Sequence, residues 1–196
     1  MKTEPEVGIM MPQPAEDSSA SASAARRRWD LAAAALRAAC VASSLVSLSL
    51  MVTSEQRGNL SLFGLEIPLH SNWSFSDSLQ YLVGVSAAVA AYELVQLVMM
   101  ARKLLSKGTS VRSRGHTWML FVCDQVFAYA MVSAGSAAAG VSNLNRVGIQ
   151  HTALPNFCKP LPRFCNHMAI SITFAFLSFL FLAISAVLDV VWLVSY

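Results

Sequence analysis

Four long apolar runs alternate with polar links along the chain, at residues 31–53, 79–101, 118–141 and 168–194. A helix rises about 1.5 Å per residue and the hydrocarbon core of a bilayer is about 30 Å thick, so each run is long enough to cross it. Each run is broken by one ionisable residue: Arg37, Glu93, Asp124 and Asp189 in chain order. A charge in such a run costs about 2.5–3.5 kcal/mol on insertion scales, which makes it a group in need of a partner. The predicted fold class is an all-α integral membrane protein, a four-transmembrane-helix bundle occupying residues 31–196.

Composition agrees with the pattern. Apolar residues make up 55% of the 196 and charged residues 13%, against roughly 25% charged in soluble domains. The net charge of +3 matters less than its distribution. Lys2, Arg26, Arg27, Arg28, Arg102, Lys103, Lys107, Arg112 and Arg114 fall before the first run or between the second and third. Only Arg57, Arg146, Lys159 and Arg163 occupy the other two links. Short links rich in Lys and Arg stay cytoplasmic, so both termini are expected inside and links 54–78 and 142–167 outside. Runs one and three then start on the same side. Counting in from their inner ends puts Arg37 and Asp124 about 9 Å deep and Glu93 about 12 Å deep, with Asp189 also on the inner side. The pattern predicts an intramembrane ion pair, Arg37–Asp124, supported by Glu93 and Asp189 in one polar layer, although Asp189 sits close enough to the end of its run to reach the interface instead.

Residues 1–30 read as a disordered cytoplasmic tail, rich in Ser, Ala, Pro and Glu over 1–25 and ending in the collar Arg26-Arg27-Arg28-Trp29. Attraction to anionic lipid is a sufficient reason for the collar, and nucleic acid is not an expected partner. The first run is too long for a signal-peptide core. In the first external link, Asn59-Leu60-Ser61 and Asn72-Trp73-Ser74 are glycosylation sequons, and their external position agrees with the charge-based topology. In the second, Cys158 and Cys165 are expected to form a disulfide on an oxidising face, worth roughly 2.5 kcal/mol. Zinc held by these cysteines with His151 and His167 ranks below it, because the spacing fits no standard pattern, and no metal or cofactor is expected. Pro155, Pro160 and Pro162 argue against helix in this link. Cys40 and Cys123 read as small apolar residues, the second within reach of palmitoylation. Three small-residue pairs, Ala39/Ser43, Gly84/Ala88 and Ser136/Gly140, are expected to serve packing inside the monomer, with an oligomer face as the sharper alternative. Phe174, Phe176, Phe179 and Phe181 give the fourth run a lipid-facing look, with Trp192 and Tyr196 at the inner interface.

No P-loop, G-x-G-x-x-G, G-x-S-x-G or H-E-x-x-H motif is present, and no run is broken by proline. The chain therefore reads as a non-enzyme. Arg37 in the first span, Asp124 in the third, the Phe75-Ser76-Asp77 start of the second span leading into Tyr81-Leu82-Val83, and Phe157-Cys158 with Phe164-Cys165 form a recognisable set. Together they resemble the plant Casparian strip membrane domain protein-like family over about residues 30–196, and the FSDS…YLV segment looks most similar to its second subgroup. The family is related to the MARVEL tetraspans. The resemblance implies a multi-pass plasma-membrane scaffold that associates with itself and its relatives; strip-forming members of the family build a platform that recruits wall-modifying enzymes such as peroxidases. The first external link lacks the acidic-aromatic signature of strip-forming members, so the resemblance implies a family scaffold rather than the strip itself. The alternatives are a small channel or transporter component, and a MARVEL-like vesicle-trafficking protein.

Overall fold

The computed structural model describes residues 15–62, 65–105, 114–148, 158–159 and 161–195. Four long helices, α1 (Ala15–Val52), α2 (Asp77–Leu105), α3 (Arg114–Val147) and α4 (Pro162–Ser195), hold the four apolar runs, the first up to but not including its last residue, Thr53. Each is long and apolar enough to cross a membrane. Two antiparallel strands, β1 (Glu55–Leu62) and β2 (Leu65–Asn72), stand between α1 and α2. The all-α reading thus describes the bundle, and the link between α1 and α2 adds a hairpin to it.

The helices form a closed four-membered ring in which α1 and α3 each pack against α2 and α4. Successive helices run in opposite directions, so the start of α1 and the end of α4 lie at the same end. The buried face of α3 carries Thr117, Asp124, Ala128, Met131, Ala134, Gly135 and Ala138, at spacings of three and four that keep one stripe inward. Outward positions are apolar instead of polar: Val122, Val126 and Tyr129 on α3, and Leu177, Leu180, Ile184 and Val187 on α4 are exposed. A helix that is apolar all round suits lipid.

Helix ends follow local chemistry. Asn72 caps a 3-10 turn at Trp73–Phe75, its side chain accepting from the Ser74 N–H. The Ser76 carbonyl then accepts from the Leu79 and Gln80 N–H groups and starts α2. Gly148, at φ 70°, closes α3 in the left-handed conformation that glycine adopts without a Cβ clash, its N–H donating to Leu144 at 2.9 Å.

Two expectations about element boundaries are corrected. Residues 15–30 are helix, about four further turns of α1, where a disordered tail was expected. The segment is rich in alanine, the strongest helix former, and lies next to an established helix that removes the nucleation cost. Pro162 does not exclude helix; it begins α4, six residues before the expected span. Proline suits the first helical position, where its missing N–H would be unpaired in any case.

Two packing expectations are also corrected. Phe176, Phe179 and Phe181 are half-buried against the core instead of facing lipid. Phe176 packs on a small residue of α3: its ring lies 3.4 Å from where a Cβ on Gly135 would stand. Conversely, Gly84, Ala88, Ser136 and Gly140 are exposed, and a Cβ on Gly84 or Gly140 would touch nothing within 4 Å. Those two small-residue pairs do not serve packing inside the monomer.

Gly135→Ala is therefore expected to be tolerated, while Gly135→Leu overpacks the α3–α4 seam and costs about 1–3 kcal/mol. Thermal unfolding in detergent measures this, with Gly140→Leu as a substitution expected to leave the melting temperature unchanged. Equal losses at both glycines would contradict the assigned faces.

Candidate functional site

One side chain from each helix meets in a single buried layer. On α1, Arg37 is 3% exposed and its Nη1 donates to Oε1 and Oε2 of Glu93 on α2 at 3.1 and 3.0 Å. Its Nη2 donates to Oδ2 of Asp124 on α3 at 3.1 Å and lies 3.8 Å from Oδ2 of Asp189 on α4. Tyr92, next to Glu93, donates its hydroxyl to the other oxygen of Asp124 at 2.6 Å, and its ring packs on Phe127 at a centroid distance of 4.6 Å. A planar guanidinium with five donors in a fixed fork suits such a junction, which a lysine could not fill.

The expected Arg37–Asp124 pair is present, and both distances shift weight toward Glu93. It is an equal partner of the arginine, not a supporting one, because both its oxygens lie within hydrogen-bond range of the same nitrogen. Asp189 does not turn to the interface: it is 6% exposed and faces Arg37.

A second polar feature continues from this layer along the α1–α4 seam. Ser43 and Ser44 reach Ser178 at 2.7 and 3.1 Å, and the Cys40 thiol faces the Ser178 carbonyl at 3.7 Å. One turn further, Ser47 and Ser171 exchange bonds, each hydroxyl donating to the other's carbonyl at 2.9 and 2.7 Å. Hydroxyls that find partners across helices hold spans together where lipid offers no hydrophobic drive. Sequence reasoning missed this seam. Its signal was the seven-residue spacing of Ser171, Ser178 and Ser185, which returns to one helix face and is followed one turn later by Asp189.

At the opposite end of the bundle from the termini, Cys158 and Cys165 are joined by a disulfide with their Cα atoms 5.8 Å apart. Beside it, the Phe164 N–H in the first turn of α4 donates to Oε1 of Gln56 on β1 at 2.9 Å. The hairpin and the disulfide-closed segment are thus tied together. Asn72 carries its sequon at the cap of the 3-10 turn, with Oδ1 taken by Ser74 at 3.2 Å. Asn59 sits on β1 opposite Pro68. His151 of the zinc alternative and the interfacial Tyr196 lie outside the described residues. Among the described residues no group of three or more His, Cys, Asp or Glu is arranged to hold a metal ion.

Comparison with known proteins places the chain in a family. The model of the Casparian strip membrane protein domain matches residues 26–181, which includes Arg37, Glu93 and Asp124. The chain belongs to that family. It is 55% identical over 190 residues to CASP-like protein 3A1 of Oryza sativa subsp. japonica, covering 96% of this chain and 93% of that one. Against CASP-like protein 3A1 of Vitis vinifera it is 50% identical over 207 residues, covering 100% and 99%. Against that of Sorghum bicolor it is 63% identical over 161 residues, covering 82% and 76%. No solved structure matches. These relatives are designated 3A1, where the resemblance had pointed to the second subgroup.

Removing Arg37 leaves three buried carboxyl groups without their cation, so Arg37→Ala is expected to cost about 3–5 kcal/mol. Asp124→Ala leaves Glu93 on the guanidinium and is expected to cost less. In a double-mutant cycle read by unfolding in mixed micelles and by surface level, the pair should couple by about 1–3 kcal/mol. The exchange of Arg37→Asp with Asp124→Arg should recover part of the loss. Additive losses without recovery would mean that the two residues do not interact.

Proposed function

We propose that the protein is a non-enzymatic plasma-membrane scaffold, which associates laterally with itself and with its relatives to organise a membrane domain. Both termini face the cytoplasm in this reading, following the distribution of basic residues. The hairpin and the disulfide-closed segment face outside, where they are available to wall-modifying enzymes. The observation that carries the reading is the outward placement of Gly84 and Ala88 on α2 and of Ser136 and Gly140 on α3. Small residues four apart on a lipid-exposed face let a second helix approach closely. The charged layer and the serine seam, by contrast, are bonded within the monomer, and the sequence holds no nucleophile–base or phosphate-binding motif.

A small channel or transporter component is the second reading. The serine seam running outward from the charged layer is what favours it, and a proton or ion flux in liposomes containing the purified protein would support it over the scaffold.

The scaffold predicts clustered, slowly recovering fluorescence after bleaching of a fusion expressed in plant cells. Gly84→Leu with Gly140→Leu should speed recovery at unchanged surface level, because neither position touches its own bundle. A freely diffusing wild-type protein would sink the reading. Topology is tested separately: protease added to intact cells should spare a tag on either terminus, and its removal would reverse the orientation.

A further inference from the structure

The buried layer sets the relative height of the four helices, and thereby the height of everything attached to them. Arg28 is nine residues before Arg37 on α1, Arg102 nine after Glu93 on α2, and Arg114 ten before Asp124 on α3. At 1.5 Å per residue the three arginines stand about 14–15 Å from the layer, in one plane, on three successive helices. Nine residues are also about two and a half turns, so Arg28 and Arg102 point away from the faces that carry Arg37 and Glu93. All three, with Arg27, are exposed. Trp29 and Trp118 are 51% and 57% exposed, and the same count places them about 9–12 Å from the layer, just inside the arginines. Asp30, the one carboxylate at this end whose side chain is described, is exposed as well, and at two residues from Arg28 it lies on the opposite side of α1 from that arginine.

Indole rings shallower than an outward-facing ring of guanidinium groups match the order of a lipid leaflet, with acyl-carbonyl level first and phosphate next. Guanidinium binds phosphate through paired donors. α1 remains helical past Arg26, so the collar is held in this plane instead of trailing on a tail. We infer that the terminus-bearing end of the bundle is an annular binding site for anionic glycerophospholipid headgroups, formed by Arg27, Arg28, Arg102 and Arg114 with Trp29 and Trp118. Each protomer would then carry a shell of anionic lipid with it. The site belongs to the single bundle and holds whether or not the protein self-associates, so its test is separate from that of the scaffold.

The full-length protein in phosphatidylcholine bilayers, probed with spin-labelled phosphatidylserine and spin-labelled phosphatidylcholine, reports relative association at the protein surface. Phosphatidylserine is expected to associate roughly fivefold more strongly, the factor that corresponds to one basic contact per bound lipid. The preference should fall toward one in 0.5 M salt. The triple variant Arg28→Gln, Arg102→Gln, Arg114→Gln should lose it at unchanged melting temperature. Arg28→Lys, Arg102→Lys, Arg114→Lys should keep most of it, and Arg57→Gln at the far end should leave it intact. Equal association of the two lipids with the wild type would overturn the site, as would a preference that survives the triple glutamine variant or is lost equally in Arg57→Gln.

Discussion

One guanidinium, contacted by carboxyl groups from three other helices, is the constraint on which this bundle depends. Arg37 reaches Glu93, Asp124 and Asp189 within 3.8 Å, so no helix can slide along its neighbours without leaving a charge in a dry interior. Apolar packing alone gives no such register, because a leucine face against lipid is nearly as favourable as a leucine face against another helix. Burying the arginine with its partners adds little net stability, while stranding any member is costly. The layer therefore works chiefly through specificity. It selects one register among many of similar packing energy.

The rest of the bundle is arranged around that plane. On one side the serine seam joins α1 to α4, where Ser43, Ser44 and Ser47 meet Ser171 and Ser178. Beyond it, the Gln56–Phe164 bond and the Cys158–Cys165 disulfide hold the two long links together. On the other side α1, α2 and α3 carry the exposed arginines Arg28, Arg102 and Arg114. Fixed internal register, and an apolar exterior that carries Gly84, Ala88, Ser136 and Gly140, are the features on which the proposed lateral association rests.

Much of this was legible in the sequence. Four apolar runs and their four charges specify the spans, and counting from the run ends brings Arg37, Glu93 and Asp124 to nearly one depth. What was not legible depends on which way a helix face turns. Gly84 and Gly140 look like packing residues in a string of small residues, and Phe176 looks lipid-facing in a string of large ones. The real assignment follows from helix rotation, which is fixed by Arg37 and its partners rather than by composition. Asp189 stood near enough to its run end to be read as interfacial, and only its place on the inward face of α4 decides otherwise. The extension of α1 to Ala15 was hidden because a tail rich in Ser, Pro and Glu looks disordered on average, whereas its alanine-rich half continues an existing helix. Pro162 misled for a related reason: its effect depends on whether it stands inside a helix or at its first position.

The layer is tested most directly by dipolar recoupling in solid-state magnetic resonance. The protein would carry ¹⁵N-labelled arginine side chains and ¹³C-labelled carboxyl groups in lipid bilayers, with Arg37→Lys as the spectral control. With N–O separations of 3.0 and 3.1 Å to Glu93 and Asp124, the guanidinium nitrogens should couple to a Glu and an Asp carboxyl carbon, each within about 4 Å. Both couplings should vanish in the control. Coupling to only one carboxyl type, or to none, would contradict a layer in which a single arginine joins the helices.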